Sequence, residues 1–121
     1  MINTLILENE AIKDICTTVI DKIDNINIKY TKNFQKNKKE YDLYIMFLNL
    51  ANEELEEKIL FKNFSKNVII FIENYNNKFL WNITNYYNPI DVMLTTIPTE
   101  VITERLINSI KKVESDIYEK M

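Results

Sequence analysis

Among its 121 residues the chain contains no glycine and no histidine, and it has only one cysteine and two prolines. Ordinary usage of about 7% would put roughly eight glycines in a chain of this length. Walker loops and dinucleotide fingerprints need glycine where the backbone turns tightly or approaches a phosphate, so both are excluded. Without histidine there is no Ser-His-Asp or Cys-His pair, no zincin motif and no imidazole base working near neutral pH. A lone Cys16 rules out an internal disulfide and a multi-thiolate zinc site. Excess positive charge is also missing: the formal net charge of −3 argues against a nucleic-acid surface. No apolar run approaches a membrane span, and residues 1–7 are too short for a signal peptide.

What is present bounds the chain further. With 46% apolar and 27% charged residues, the expectation is one compact cytoplasmic domain over residues 1–121 with a core of its own. The one basic cluster, Lys36, Lys38 and Lys39 beside Glu40, reads as a solvated loop. The glycosylation triplets at Asn63 and Asn82 have no consequence without a secretory signal.

Two hydrophobic periods alternate along the sequence. Residues 4–7 form a short apolar run with β-branched content, read as the buried strand β1. Ile12, Ile15, Cys16, Val19, Ile20 and Ile23 then make one continuous helical stripe, with Cys16 a buried structural thiol. Ile26, Ile28 and Tyr30 alternate with polar residues as a half-buried edge strand, β2. Residues 31–40 are polar, with Phe34 as anchor and room for one short second helix. The apolar residues 43–48 (β3) and 68–72 (β4) read as central strands covered on both faces. Between them Leu55, Ile59, Leu60 and Phe64 define a third helix, whose early acids favour its positive end. Phe79, Leu80, Ile83 and Tyr87 define a fourth, stopped by Asn88 and Pro89. Residues 90–97 give β5, closed by Pro98. A fifth helix is expected from Thr99 as N-cap to about Tyr118, burying Ile102, Leu106, Ile110, Val113 and Ile117.

Alternating units of this kind imply a parallel sheet between two helical layers, because right-handed crossovers place helices on the faces. Five units in this length predict an α/β, flavodoxin-like three-layer sandwich with strand order 2-1-3-4-5 and a short or irregular second helix.

Ligands in such a sheet bind beyond the carboxyl ends of the strands, and the residues there carry a likeness to a known family. Leu5, Ile6, Leu7, Glu8, Asn9 and Glu10 resemble the opening of a response-regulator receiver domain. Tyr41, Asp42 and Leu43 resemble the family's approach to its phosphoacceptor strand, residues 68–71 its fourth strand, and Pro98 the proline near the end of its fifth. The resemblance spans the chain, yet every position that would carry receiver chemistry is changed. Phe47 stands at the phosphoacceptor aspartate, Ile72 at the switching Ser or Thr, and Thr96 (or Ile97) at the lysine. Glu8 and Asn9 replace the acidic pair that helps hold magnesium. Magnesium relies on one or two carboxylates plus phosphate oxygens, so weak or no binding is expected, with Phe47 and Ile72 filling the emptied pocket.

The resemblance thus implies a degenerate, phosphorylation-independent receiver-like regulatory domain, with no catalytic residue, metal or cofactor. It would act by protein association, as a homodimer through the fourth helix, β5 and the fifth helix, with Trp81, Tyr86, Tyr87 and Arg105 as interface candidates. A DNA-binding output domain beyond residue 121 would make it a transcription regulator; the DNA contact would lie outside these residues. The alternative is a small-ligand or flavin-binding module, although Glu8, Asn9 and Glu10 would repel a flavin phosphate. An enzyme using Glu8 and Glu10 or Glu73 as acid and base lacks a nucleophile and is the weakest reading. Where receivers place glycine, this chain has Asn25, Asn49 and Asn88 at turns, and asparagine is the next most tolerant residue of positive φ.

Overall fold

A computed structural model describes residues 1–32, 39–48, 67–74, 81 and 88–120. It contains five strands, β1 (Ile2–Leu7), β2 (Ile26–Thr31), β3 (Leu43–Leu48), β4 (Val68–Ile72) and β5 (Asp91–Leu94). They form one sheet in the order β2-β1-β3-β4-β5, and every neighbouring pair is parallel. This is the α/β topology expected from the alternating pattern. The expected features that fall on residues 33–38, 49–66, 75–80 and 82–87, including Phe34, Asn49, Tyr86, Tyr87 and most of the second, third and fourth helices, lie outside the described residues.

The strands sort their side chains by parity. Ile2, Ile6, Leu43, Ile45, Phe47, Ile69, Phe71 and Met93 share one buried cluster, which the first crossover and the carboxy-terminal helix cover with Ile12, Ile15, Ile20, Ile102, Leu106 and Val113. The other parity, Leu5, Tyr44, Met46, Leu48, Val68, Ile70 and Ile72, forms a second buried cluster that includes Tyr41. Burial on both faces is why β3 and β4 read as unbroken apolar runs. β2 lies at the sheet's edge and buries only Ile26 fully, as its alternation predicts.

Four boundaries differ from expectation. β1 begins at Ile2, because Ile2 and Asn3 pair with Ile26 and Asn27 of β2, while the Asn3 N–H donates to the Asp42 carboxylate (2.9 Å) and the Asp42 N–H to the Asn3 carbonyl (2.8 Å). The first helix is broken into a 3-10 turn (Glu10–Ile12), a short α-helix (Lys13–Thr18) and a second 3-10 turn (Ile20–Lys22). The hydroxyls of Thr17 and Thr18 both donate to the Asp14 carbonyl, at 3.1 and 2.6 Å, competing with the backbone ladder just before the break. β5 ends at Leu94, where the Ile97 N–H turns back to the Leu94 carbonyl. The carboxy-terminal helix runs over Thr99–Lys120, and its first carbonyl acceptor is Pro98, bonded by the Ile102 N–H at 3.1 Å. Pro98 is therefore the capping residue and Thr99 the first helical one, whereas the residue types alone favour Thr99 as cap.

Asn25 (φ 69°) and Asn88 (φ 45°) are the positive-φ residues among those described. A Cβ in this region costs about 1–2 kcal/mol, which asparagine offsets in part by local hydrogen bonding. The turns thus close without glycine.

Candidate functional site

Because all five strands are parallel, Glu8, Asn9, Phe47, Ile72 and Thr96 fall at the same carboxyl edge of the sheet. The Glu8 N–H still donates to the Thr31 carbonyl (2.8 Å), so the chain follows β2 for one residue past β1. Asn9 then caps the first turn: its Oδ1 accepts from the Ala11 N–H at 2.8 Å and its carbonyl from the Ile12 N–H at 3.2 Å. Glu8, Glu10 and Thr96 are exposed, Thr96 in the turn after β5.

Phe47 and Ile72 are both buried but do not meet in one pocket. Phe47 pairs with Phe71 across the ladder and joins the cluster under the carboxy-terminal helix; Ile72 pairs with Leu48 and joins the opposite cluster. The expectation that the two jointly fill an emptied site is corrected by this one-residue offset, which sends their side chains to opposite faces. A magnesium and phosphoryl group does not fit these residues. The β3 position is an apolar core side chain, Asn9 already uses its oxygen to cap a turn, and Glu8 alone remains as an acid. Among the described residues no three Cys, Asp or Glu side chains are gathered closely enough to hold a metal ion.

A cleft of about 540 Å³ lies at this edge, between the ends of β1 and β2 and the broken first helix. Ile6, Leu7 and Cys16 supply apolar lining, while Lys13, Asp21 and Tyr30 supply polar groups. The Tyr30 hydroxyl donates to Asp21 Oδ1 at 2.9 Å. Burial pushes the Tyr30 phenol well above its ordinary range, and the bond to Asp21 adds to the effect because ionisation would cost the donated proton. Burial likewise raises the Cys16 thiol, against a smaller opposing effect from its hydrogen bond with Tyr30. Cys16 is accordingly a protonated, buried thiol with low nucleophilicity, as its place on the apolar stripe predicts. The Asp21 and Tyr30 pairing has no signature in the sequence, because it exists only once the crossover returns β2 alongside β1.

The interface candidates separate. Trp81 is helical and 69% exposed. Arg105 is committed within the chain. Its Nε donates to Asp91 Oδ2 (2.9 Å), and one terminal nitrogen pairs with Asp91 Oδ1 and donates to the Val92 carbonyl (3.1 Å). Asp91 Oδ1 also accepts from the Val92 N–H at 2.9 Å. This forked pair fastens the carboxy-terminal helix to the start of β5.

No protein-family model matches the chain, and no curated protein matches it. No helix among the described residues is long and apolar enough to cross a membrane.

Proposed function

We propose that this chain is a receiver-like regulatory domain of the flavodoxin-like, three-layer kind that works by protein association and not by phosphorylation. The observation that carries the reading is Phe47. It lies near the carboxyl end of β3 in a sheet ordered 2-1-3-4-5 and is buried in the core, and it is the residue that the sequence resemblance aligns with a receiver's phosphoacceptor. A phenyl ring accepts no phosphoryl group, and moving it to admit one would expose apolar surface worth about 2 kcal/mol. The scaffold is thereby held in one arrangement, and its surfaces remain for regulation. Trp81, helical and exposed, supports a partner protein at that position, since large exposed aromatics anchor interfaces. Arg105 serves this function indirectly, by fixing the helix to β5.

The test is incubation with acetyl phosphate, and separately with beryllofluoride, in the presence of Mg²⁺. Intact mass should stay unchanged, and so should the fluorescence of Trp81. A phosphoryl adduct or a saturable fluorescence change would overturn the reading.

A second reading, a small-ligand module on the same fold, draws on the cleft beside Tyr30, whose volume lies in the range of ligand pockets. Flavin is disfavoured by Glu8 and Glu10 on the rim. Quenching of flavin fluorescence on titration with the protein would favour this alternative.

A further inference from the structure

A groove of about 370 Å³ runs between the end of the first crossover and the middle of the carboxy-terminal helix, with Val19, Ile23, Ile107 and Ile110 among its lining. One side carries Lys22 and Asp24, the other Lys111 and Glu114. Among the described residues none of these four side chains makes an ion pair. Ile107 is 37% exposed, a large apolar side chain left open on a helix whose neighbours Leu106 and Ile110 are buried.

The helix extends this surface. Residues 107, 111, 114 and 118 succeed one another at steps of four, three and four, so they share one stripe. Twenty-two helical residues span about 33 Å, and Val113 and Ile117 keep the last turns against the core while the opposite stripe is left open. There Tyr118, on the same stripe, is 81% exposed.

We propose that this groove is a self-association surface on which two copies pack about a two-fold axis. Ile107 of each copy enters the groove of the other, and Lys111 of one faces the partner's Asp24. Charge is what selects a second copy as the occupant. A two-fold interface must be complementary to itself, and a rim of two cations and two anions meets that condition. A mainly acidic face, on a chain of net charge −3, would instead repel its own copy. Ridge-into-groove packing of helices gives the close approach. A strip of helix about 33 Å long and about 10 Å wide, with the adjoining turn, buries on the order of 500 Å² per copy, at the low end of specific interfaces. The dimer is correspondingly weak, with a dissociation constant on the order of 10 μM. This inference goes beyond the regulatory reading and does not depend on whether a phosphoryl donor acts on the domain.

Sedimentation equilibrium of the chain from about 5 to about 500 μM brackets that constant. A reversible monomer–dimer equilibrium is expected. Ile107→Lys should weaken it at least about tenfold, and Lys111→Glu by about threefold to tenfold. Adding Asp24→Lys to Lys111→Glu should restore association to within about twofold, because the two exchanged charges face each other across the axis. Circular dichroism and urea midpoints of the exposed charge variants identify any loss of fold, and Trp81→Ala should leave association unchanged. A chain that stays monomeric throughout overturns the proposal. So does a dimer that survives Ile107→Lys, or one that the double exchange fails to restore while both variants remain folded.

Discussion

The first crossover and the carboxy-terminal helix both present an apolar stripe at helical spacing, yet one is broken into three pieces and the other runs unbroken for 22 residues. Composition along each segment accounts for the difference. Residues 17–20 are four consecutive β-branched side chains, and Thr17 and Thr18 both direct their hydroxyls at one carbonyl, that of Asp14. At Val19 the backbone is stretched within the helical region, with φ −119° and ψ −62°, and the α-helix stops there. In the longer helix the Thr103 hydroxyl makes the same kind of bond, to the Thr99 carbonyl at 2.7 Å, without breaking it. There Glu104, Arg105 and Leu106 follow at once and favour helix, and the Asp91 pair holds Arg105 in place. Periodicity therefore identifies the buried face of both segments, whereas continuity depends on propensity and on anchoring from outside the helix.

The comparison can be broken most forcefully in the core of the long helix. Leu106→Ala should cost about 3 kcal/mol by urea denaturation, against about 2 kcal/mol for Ile15→Ala in the broken segment. A reversed order would mean that the broken segment is the more tightly packed of the two. Next, Asp91→Asn removes the charge that Arg105 forks onto and should cost about 1–2 kcal/mol, partly relieved by salt because both side chains are partly exposed. An unchanged midpoint would show that the helix needs no such anchor. At the turn that follows the first crossover, Asn25→Ala should lose about 1 kcal/mol while Asn25→Gly loses little, because only the alanine has a Cβ without a compensating amide at positive φ. Equal effects would remove the φ argument. The smallest effect is a gain: Thr18→Ala should stabilise by about 0.5 kcal/mol and raise the helical signal in circular dichroism, since it removes a back-bond at an exposed site. If the helical signal does not rise, the break is imposed by Val19 and the packing beneath it.

Much of the sheet was legible from particular residues. Val68 to Ile72 is a strand with the limits its composition suggests, because burial on both faces demands an unbroken apolar run. Asn3 was harder to read, since its place in β1 rests on pairing with Asn27 of β2 and on hydrogen bonds with Asp42, 39 residues away. Asn25 and Asn88 were identifiable as glycine substitutes because few other residues tolerate positive φ. The candidate site was legible only as an edge. That Phe47, Ile72, Glu8, Asn9 and Thr96 stand beyond neighbouring strand ends follows from strand order, but the face each side chain takes follows from register. Register joins Phe47 to Phe71 and Ile72 to Leu48, and no local pattern encodes it. Arg105 illustrates the same limit: a cation on an amphipathic helix looks available for an interface until β5 brings Asp91 beneath it.

By itself, the sequence determined the chemistry that is excluded, the succession of the five strands, and which of the described residues are apolar enough to be buried. Those properties depend on side-chain type and local spacing, which are complete in the linear chain. Only the tertiary structure decided that Phe47 and Ile72 part to opposite faces, that Asp21 meets Tyr30 and that Asp91 captures Arg105. Each of these requires separate elements of the fold to be packed against one another, and that arrangement is fixed by packing and hydrogen bonding around the whole sheet.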